Sequence, residues 1–246
     1  MSGHSKWANI KNKKAKTDAA KGRIFTKLGR EIAGAAKGGA DPSTNSKLAD
    51  VVAKAKAANM PNDNILRSIK KAAGELGNTN YEELTYEGYG AGGSAVIVET
   101  LTDNKNRTVG DVRHIFDKYG GSLGSAGCVS FTFDKKGVIV VEKDVKLSED
   151  EMMELAIEAG ADDVVTEEDA YVVYTAPADF SQVRKFLEDK KLNFFEASIQ
   201  MVPSSKIDLD NETREKFVRL IDKLDELDDV QNIYHNVNLP EEEEEE

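Results

Sequence analysis

At 246 residues the chain is longer than one small domain and leaves room for two or three. A content of 39% hydrophobic and 32% charged residues excludes a fibrous or wholly disordered chain, and no apolar run nears the roughly 20 residues of a membrane helix, so no membrane partner is expected. The net charge of -12 is unevenly placed: residues 1–77 hold 16 basic against 6 acidic side chains, and the remaining chain carries a charge of -22.

The first region, 1–77, reads as a basic arm and a helical domain. Residues 2–16 contain no acid and no apolar periodicity, only bases around Trp7 and Ile10. From about residue 18 to 37, Ile24, Leu28, Ile32 and Ala35 recur at helical spacing. Arg23, Lys27, Arg30 and Lys37 fall about half a turn away, which predicts one packed face and one basic stripe. Gly38, Gly39 and Pro42 end this helix. A second helix over about 44–58 turns Leu48, Val51, Val52 and Ala55 inward, and a third opens at Pro61 with Ile65, Leu66 and Ile69.

Strand patterns follow. Residues 84–89 and 94–101 flank Gly90-Ala91-Gly92-Gly93 as an antiparallel hairpin. Thr108 with Asp111 looks like a helix start, with Val109, Val112, Phe116 and Tyr119 on one side, and Val129, Phe131 and Phe133 alternate as a strand. Residues 138–202 read as a complete β-α-β-β-α-β unit, the ferredoxin-like order, with a helix capped at Ser148. The segment before it supplies only half of such a unit, and a helix through Phe217, Leu220 and Leu224 with a strand over 230–237 supplies the rest. The expected fold is therefore α+β: an N-terminal helical bundle and two ferredoxin-like α+β domains, the third inserted in the second. The boundaries are 1–77, then 78–134 with 206–240, the insert 135–205, and a disordered acidic tail at 241–246.

The basic arm and first helix carry the main functional signal. Lys6, Lys11, Lys13, Lys14, Lys16, Lys21, Arg23, Lys27 and Arg30 face only Asp18 in the first thirty residues, a pattern suited to phosphate contact through counterion release. Trp7 either stacks on a base or staples the arm to the bundle. A polar loop, Thr102-Asp103-Asn104-Lys105-Asn106-Arg107-Thr108, places Lys105 and Arg107 at a helix N-terminus, where they and the free N–H groups either hold a second phosphate or form a solvated cap.

Other chemistry finds little support. Gly88, Gly90 and Gly93 match a dinucleotide fingerprint formally, but the run opens into a strand rather than a helix. The single Cys128 and three scattered histidines form no metal or catalytic pattern, and Cys128 reads as a structural thiol in a reducing, cytoplasmic compartment. No enzyme activity, metal or cofactor is expected.

His4-Ser5-Lys6-Trp7-Ala8-Asn9-Ile10-Lys11, Lys21-Gly22-Arg23-Ile24-Phe25, Met60-Pro61-Asn62-Asp63-Asn64-Ile65, Tyr86-Glu87-Gly88-Tyr89-Gly90 and Leu101-Thr102-Asp103-Asn104-Lys105-Asn106-Arg107-Thr108 occur in that order. Together they resemble the YebC family of bacteria, whose mitochondrial relatives activate translation of cytochrome oxidase. The resemblance implies a helical domain followed by two α+β domains. It also implies one of two roles: a DNA-binding transcriptional regulator, or a ribosome-associated factor that assists synthesis through proline-rich stretches. By position it makes the basic arm, Lys105 and Arg107 the nucleic-acid-facing residues. A Lys-rich arm on an acidic body, with no evident helix-turn-helix, favours ribosomal RNA over DNA as the partner.

Overall fold

A computed structural model describes residues 18–72, 81–144 and 147–239. In chain order these form α1 (Asp18–Ala36), α2 (Ser46–Ala57), α3 (Asn62–Ala72), β1 (Glu82–Tyr89), β2 (Ala95–Thr102), α4 (Lys105–Lys118) and β3 (Ser122–Leu123). Then come β4 (Phe133–Glu142), α5 (Glu149–Ala159), β5 (Asp163–Thr166), β6 (Ala170–Thr175), α6 (Phe180–Asp189), β7 (Phe194–Pro203), α7 (Asn211–Asp225) and β8 (Val230–His235). The chain folds as two compact units, one over Asp134–Val202 and the other over Lys21–Phe133 with the described chain from Pro203 onward.

The three N-terminal helices close on Leu28, Ile32, Leu48, Ala55 and Ile65, all buried, as the helical spacing of these residues demands. Asn45 fixes the turn between α1 and α2. Its carboxamide oxygen accepts the Leu48 N–H at 3.1 Å as an N-cap, while its amide donates to the Ala35 and Gly39 carbonyls at 2.9 and 2.8 Å. Of the apolar residues that mark α3, Leu66 is exposed; the inward stripe is Ile65 and Ile69.

In the same unit the first sheet has the order β3-β1-β2-β8, with β1 and β2 an antiparallel hairpin pairing Tyr89 with Ala95 through Glu82 with Thr102. Val96 and Val98 of β2 pack with Val112 and Phe116 of α4 and with Phe217, Leu220 and Leu224 of α7, so both helices cover one face. On the other face Leu101 lies beside Gly34 of α1, where a Cβ would come within 3.5 Å. Burial on both sides explains why β2 opens with four consecutive apolar residues and is buried at every position but Glu99. The glycine-rich connection is a hairpin turn: Gly92 has φ +70°, and a Cβ there would meet Leu209 Cδ2 at 2.5 Å.

The second sheet has the order β5-β6-β4-β7, the ferredoxin-like arrangement of a β-α-β-β-α-β chain, inserted between the two segments that build the first sheet. Ile139 and Val141 of β4 and Tyr171 and Val173 of β6 pack against Met152 and Ala156 of α5 and Val183 and Leu187 of α6. Alternate residues Val138, Val140, Ala170 and Val172 are buried on the opposite side. α5 begins with a full capping box: the Ser148 side chain accepts the Glu151 N–H, and the Glu151 carboxylate accepts the Ser148 N–H.

Two expectations are corrected here. Residues 129–133 do not form an alternating strand: Ser130–Thr132 is a 3-10 turn with Phe131 exposed, and β4 starts at Phe133. The reason is Glu87 on β1, whose buried carboxylate accepts the N–H groups of Gly127, Val129 and Ser130 at 2.8, 3.0 and 2.8 Å, so these donors are not offered to a partner strand. Burial would raise the Glu87 carboxyl, but the three N–H groups outweigh it and hold it below its ordinary value. α4 likewise starts not at Thr108 but at Lys105, because Asn104 supplies the N-cap and accepts the Arg107 N–H at 3.1 Å. The expected disordered tail, 241–246, lies outside the described residues.

Candidate nucleic-acid interface

Lys6, Trp7, Lys11, Lys13, Lys14 and Lys16 also lie outside the described residues. Lys21 and Arg23 are exposed near the start of α1, without an ion-pair partner among the described residues. The next two bases differ. Lys27 Nζ lies 2.8 Å from the Asp225 carboxylate and donates to the Asp225 carbonyl at 2.8 Å, and Arg30 pairs with the Asp229 carboxylate. Their side chains retain only 13% and 17% exposure. The expected solvent-facing stripe is therefore corrected at these positions: its middle binds α1 to the end of α7 and the turn behind it.

Asp229 organises this junction. Its carboxylate accepts Arg107 Nη2 at 2.8 and 3.0 Å, Thr108 Oγ1 at 2.7 Å and Thr102 Oγ1 at 3.2 Å, besides the Arg30 guanidinium. Its carbonyl accepts the Leu101 N–H at 2.8 Å. Burial would raise the Asp229 carboxyl, but hydrogen bonds from Arg107, Thr108 and Arg30 prevail and hold it below its ordinary value. Thr108 is thus a buried member of a carboxylate network. Charge alone signalled the two arginines; the sequence signal for Asp229 was absent, because an acid in Asp228-Asp229 after a helix reads as surface.

Around this network opens a cleft of about 440 Å³ lined by Arg30, Arg107 and Thr108 together with Asp103, Asp111, Glu226, Asp228 and Asp229. Carboxylates outnumber guanidiniums, and both arginines already answer to Asp229. Lys105 is exposed at the start of α4 with no ion-pair partner among the described residues, whereas Arg107 is committed to Asp229 and to Asp103 at 2.9 Å. Of the loop's two bases, Arg107 is therefore engaged by carboxylates, while Lys105 is engaged by none among the described residues.

A second recess, about 470 Å³, lies between α1 and α3 and has the opposite character. Arg30, Arg67 and Lys71 line it with the aromatic rings of Phe25 and Tyr81, and no carboxylate is among its described lining residues. Lys71 Nζ lies 5.6 Å and Arg30 Cζ 5.9 Å from the centroid of the Tyr81 ring, and Lys37 donates to the Tyr81 carbonyl at 2.8 Å. Asn64, Arg67, Ser68 and Lys71 recur at i, i+3, i+4 and i+7, one face of α3. That polar stripe was present in the sequence beside the apolar one but was not singled out.

Cys128 is half-buried and free. Burial first, and then the Glu87 carboxylate, push its thiol above the ordinary value, opposite to what a nucleophile needs. No helix among the described residues is long and apolar enough to cross a membrane.

A helical module preceding two antiparallel α+β sheets defines a three-part architecture already seen by crystallography. A conserved hypothetical protein from Aquifex aeolicus, Aq1575, is 46% identical with a TM-score of 0.86, over 98% of this chain and 100% of that one. Residues 5–75 match the TACO1/YebC protein N-terminal domain and residues 81–237 the TACO1/YebC second and third domain, so the chain belongs to the TACO1/YebC family. A probable transcriptional regulatory protein of Acetivibrio thermocellus is 61% identical over 96% of this chain and 98% of its own. Another so named, from Thermoanaerobacter pseudethanolicus, is 57% identical over the full length of both.

Proposed function

We propose that this protein is a nucleic-acid-binding regulator of gene expression, without catalytic chemistry or a cofactor, acting in the cytoplasm. One observation carries the reading. An N-terminal region with 16 bases and 6 acids belongs to a chain whose remainder bears a charge of -22, so attraction for polyphosphate is concentrated at one end. Among its described bases, Lys21, Arg23 and Arg67 are exposed and without ion-pair partners among the described residues.

Within that reading the chain acts in translation, on ribosomal RNA, and eases synthesis of proline-rich stretches. The predominance of Lys over Arg in the arm supports contact with phosphates rather than bidentate reading of bases in a groove. The names of the relatives support a second reading, transcriptional regulation through DNA.

Sedimentation of cell extract through sucrose, with and without nuclease, separates the two. The translation role expects nuclease-sensitive migration with ribosomal particles, and slower synthesis of proline-rich reporters at unchanged mRNA level when the protein is removed. A promoter preferred over random duplex by roughly 10³-fold, with absence from ribosomal fractions, selects transcription. Binding to neither sinks the nucleic-acid reading itself.

A further inference from the structure

The recess between α1 and α3 combines features that a generic basic patch lacks. Ala33 and Met60 give it a buried apolar floor, and Phe25 and Tyr81 add half-buried rings. Gly29 keeps the helices close: a Cβ there would lie 3.2 Å from Ser68 Oγ. Two polar groups facing the recess, the Arg67 guanidinium and the Asn64 carboxamide, have no side-chain partner among the described residues.

We propose that this recess binds one unstacked nucleotide of a single-stranded nucleic acid, its base against the Phe25 and Tyr81 rings and its phosphate on Arg67 and Lys71. The proposal rests on the nucleic-acid reading above and specifies the form of strand recognised. A base offers an apolar π-face to aromatic side chains, and a carboxamide such as Asn64 can both donate to and accept from its edge. A guanidinium and an ammonium one helical turn apart match a phosphate. The volume of about 470 Å³ falls among pockets for small ligands, roughly 300–1,000 Å³, so a duplex cannot enter and a base must leave its stack first. An acidic peptide would satisfy the cations but leave the rings without a flat partner.

The test uses the full chain and short labelled RNA and DNA strands of one sequence, each single-stranded and as a duplex. Arg67→Glu and Tyr81→Ala are each expected to weaken single-strand binding about tenfold while duplex binding changes less than twofold. Tyr81→Phe, which keeps the ring, should bind as the native protein does. Strands carrying 4-thiouracil should crosslink to peptides containing Phe25 or Tyr81, and whichever sugar binds tighter identifies the source of the strand. Arg67→Glu provides an answer even if Tyr81→Ala unfolds, because Arg67 is exposed. Native binding to RNA that is indifferent to Arg67→Glu and crosslinks elsewhere would overturn the groove while leaving the regulator reading intact. Equal loss on duplex and single strand, or displacement by poly-glutamate as readily as by RNA, overturns it too. No binding of any nucleic acid by the native chain would end both.

Discussion

Arg30 lines two recesses of similar size, about 470 and 440 Å³, and opposite chemistry. The one between α1 and α3 gathers three cations and no described carboxylate; the one around Asp229 gathers five carboxylates and two guanidiniums. Both lie next to sequence that looked basic. The difference teaches that a cation's place in a charge count says little about its availability, which depends on whether a folded acid has already claimed it. In the cleft Asp229 holds Arg30 and Arg107, whereas in the groove Arg67 answers to no described partner.

Removing the acid should break this contrast most strongly. Asp229→Ala leaves Arg30 and Arg107 facing each other without their carboxylate and should lower the unfolding free energy by about 3 kcal/mol, read by denaturant melts. Glu87→Gln, which weakens the acceptor for three N–H groups in the same unit, should cost about 2 kcal/mol and leave the groove unchanged. Both carboxyls sit below their ordinary values in the folded chain. Their contribution is thus complete only above a pH of about 5 and disappears as pH falls through the lowered values. Asp229→Asn should flatten the acid limb of a stability-against-pH curve and change its slope little between pH 6 and about 8.

Arg107→Ala should cost about 1 kcal/mol, reduced because the side chain is 44% exposed. Its RNA affinity should stay within twofold, since the cleft beside it repels phosphate. A tenfold loss of affinity in a folded Arg107→Ala protein would make the cleft a contact after all. The smallest change in stability should come from Arg67→Ala, within about 0.5 kcal/mol by thermal melt.

The sequence disclosed the architecture where one kind of periodicity ruled a segment. Ile24, Leu28 and Ile32 marked α1, and the short unbroken apolar run at 138–141 with the Ser148 cap marked the inserted unit. It misled where a side chain replaced a backbone partner: Glu87 takes the N–H groups that would have made 129–133 a strand, and Asn104 starts α4 one turn before Thr108. Of the candidate site, the basic region was legible as composition. The fates of Lys27 and Arg30 were not, because their partners Asp225 and Asp229 lie 198 and 199 residues away and only the fold joins them. The stripe from Asn64 to Lys71 was readable but was outweighed by the apolar pattern on the same helix.

The sequence distance between Arg30 and Asp229 also sets an order of events during synthesis. At about 5–20 residues per second, Arg30 leaves the ribosome roughly 10–40 s before Asp229, and β2 waits about two-thirds as long for β8, its neighbour in the finished sheet. Through that interval the nascent chain carries Lys27 and Arg30 without their eventual anions, and a strand edge open to other chains. Completion of the C-terminal segment is thus the step that withdraws two cations from the surface and closes the sheet.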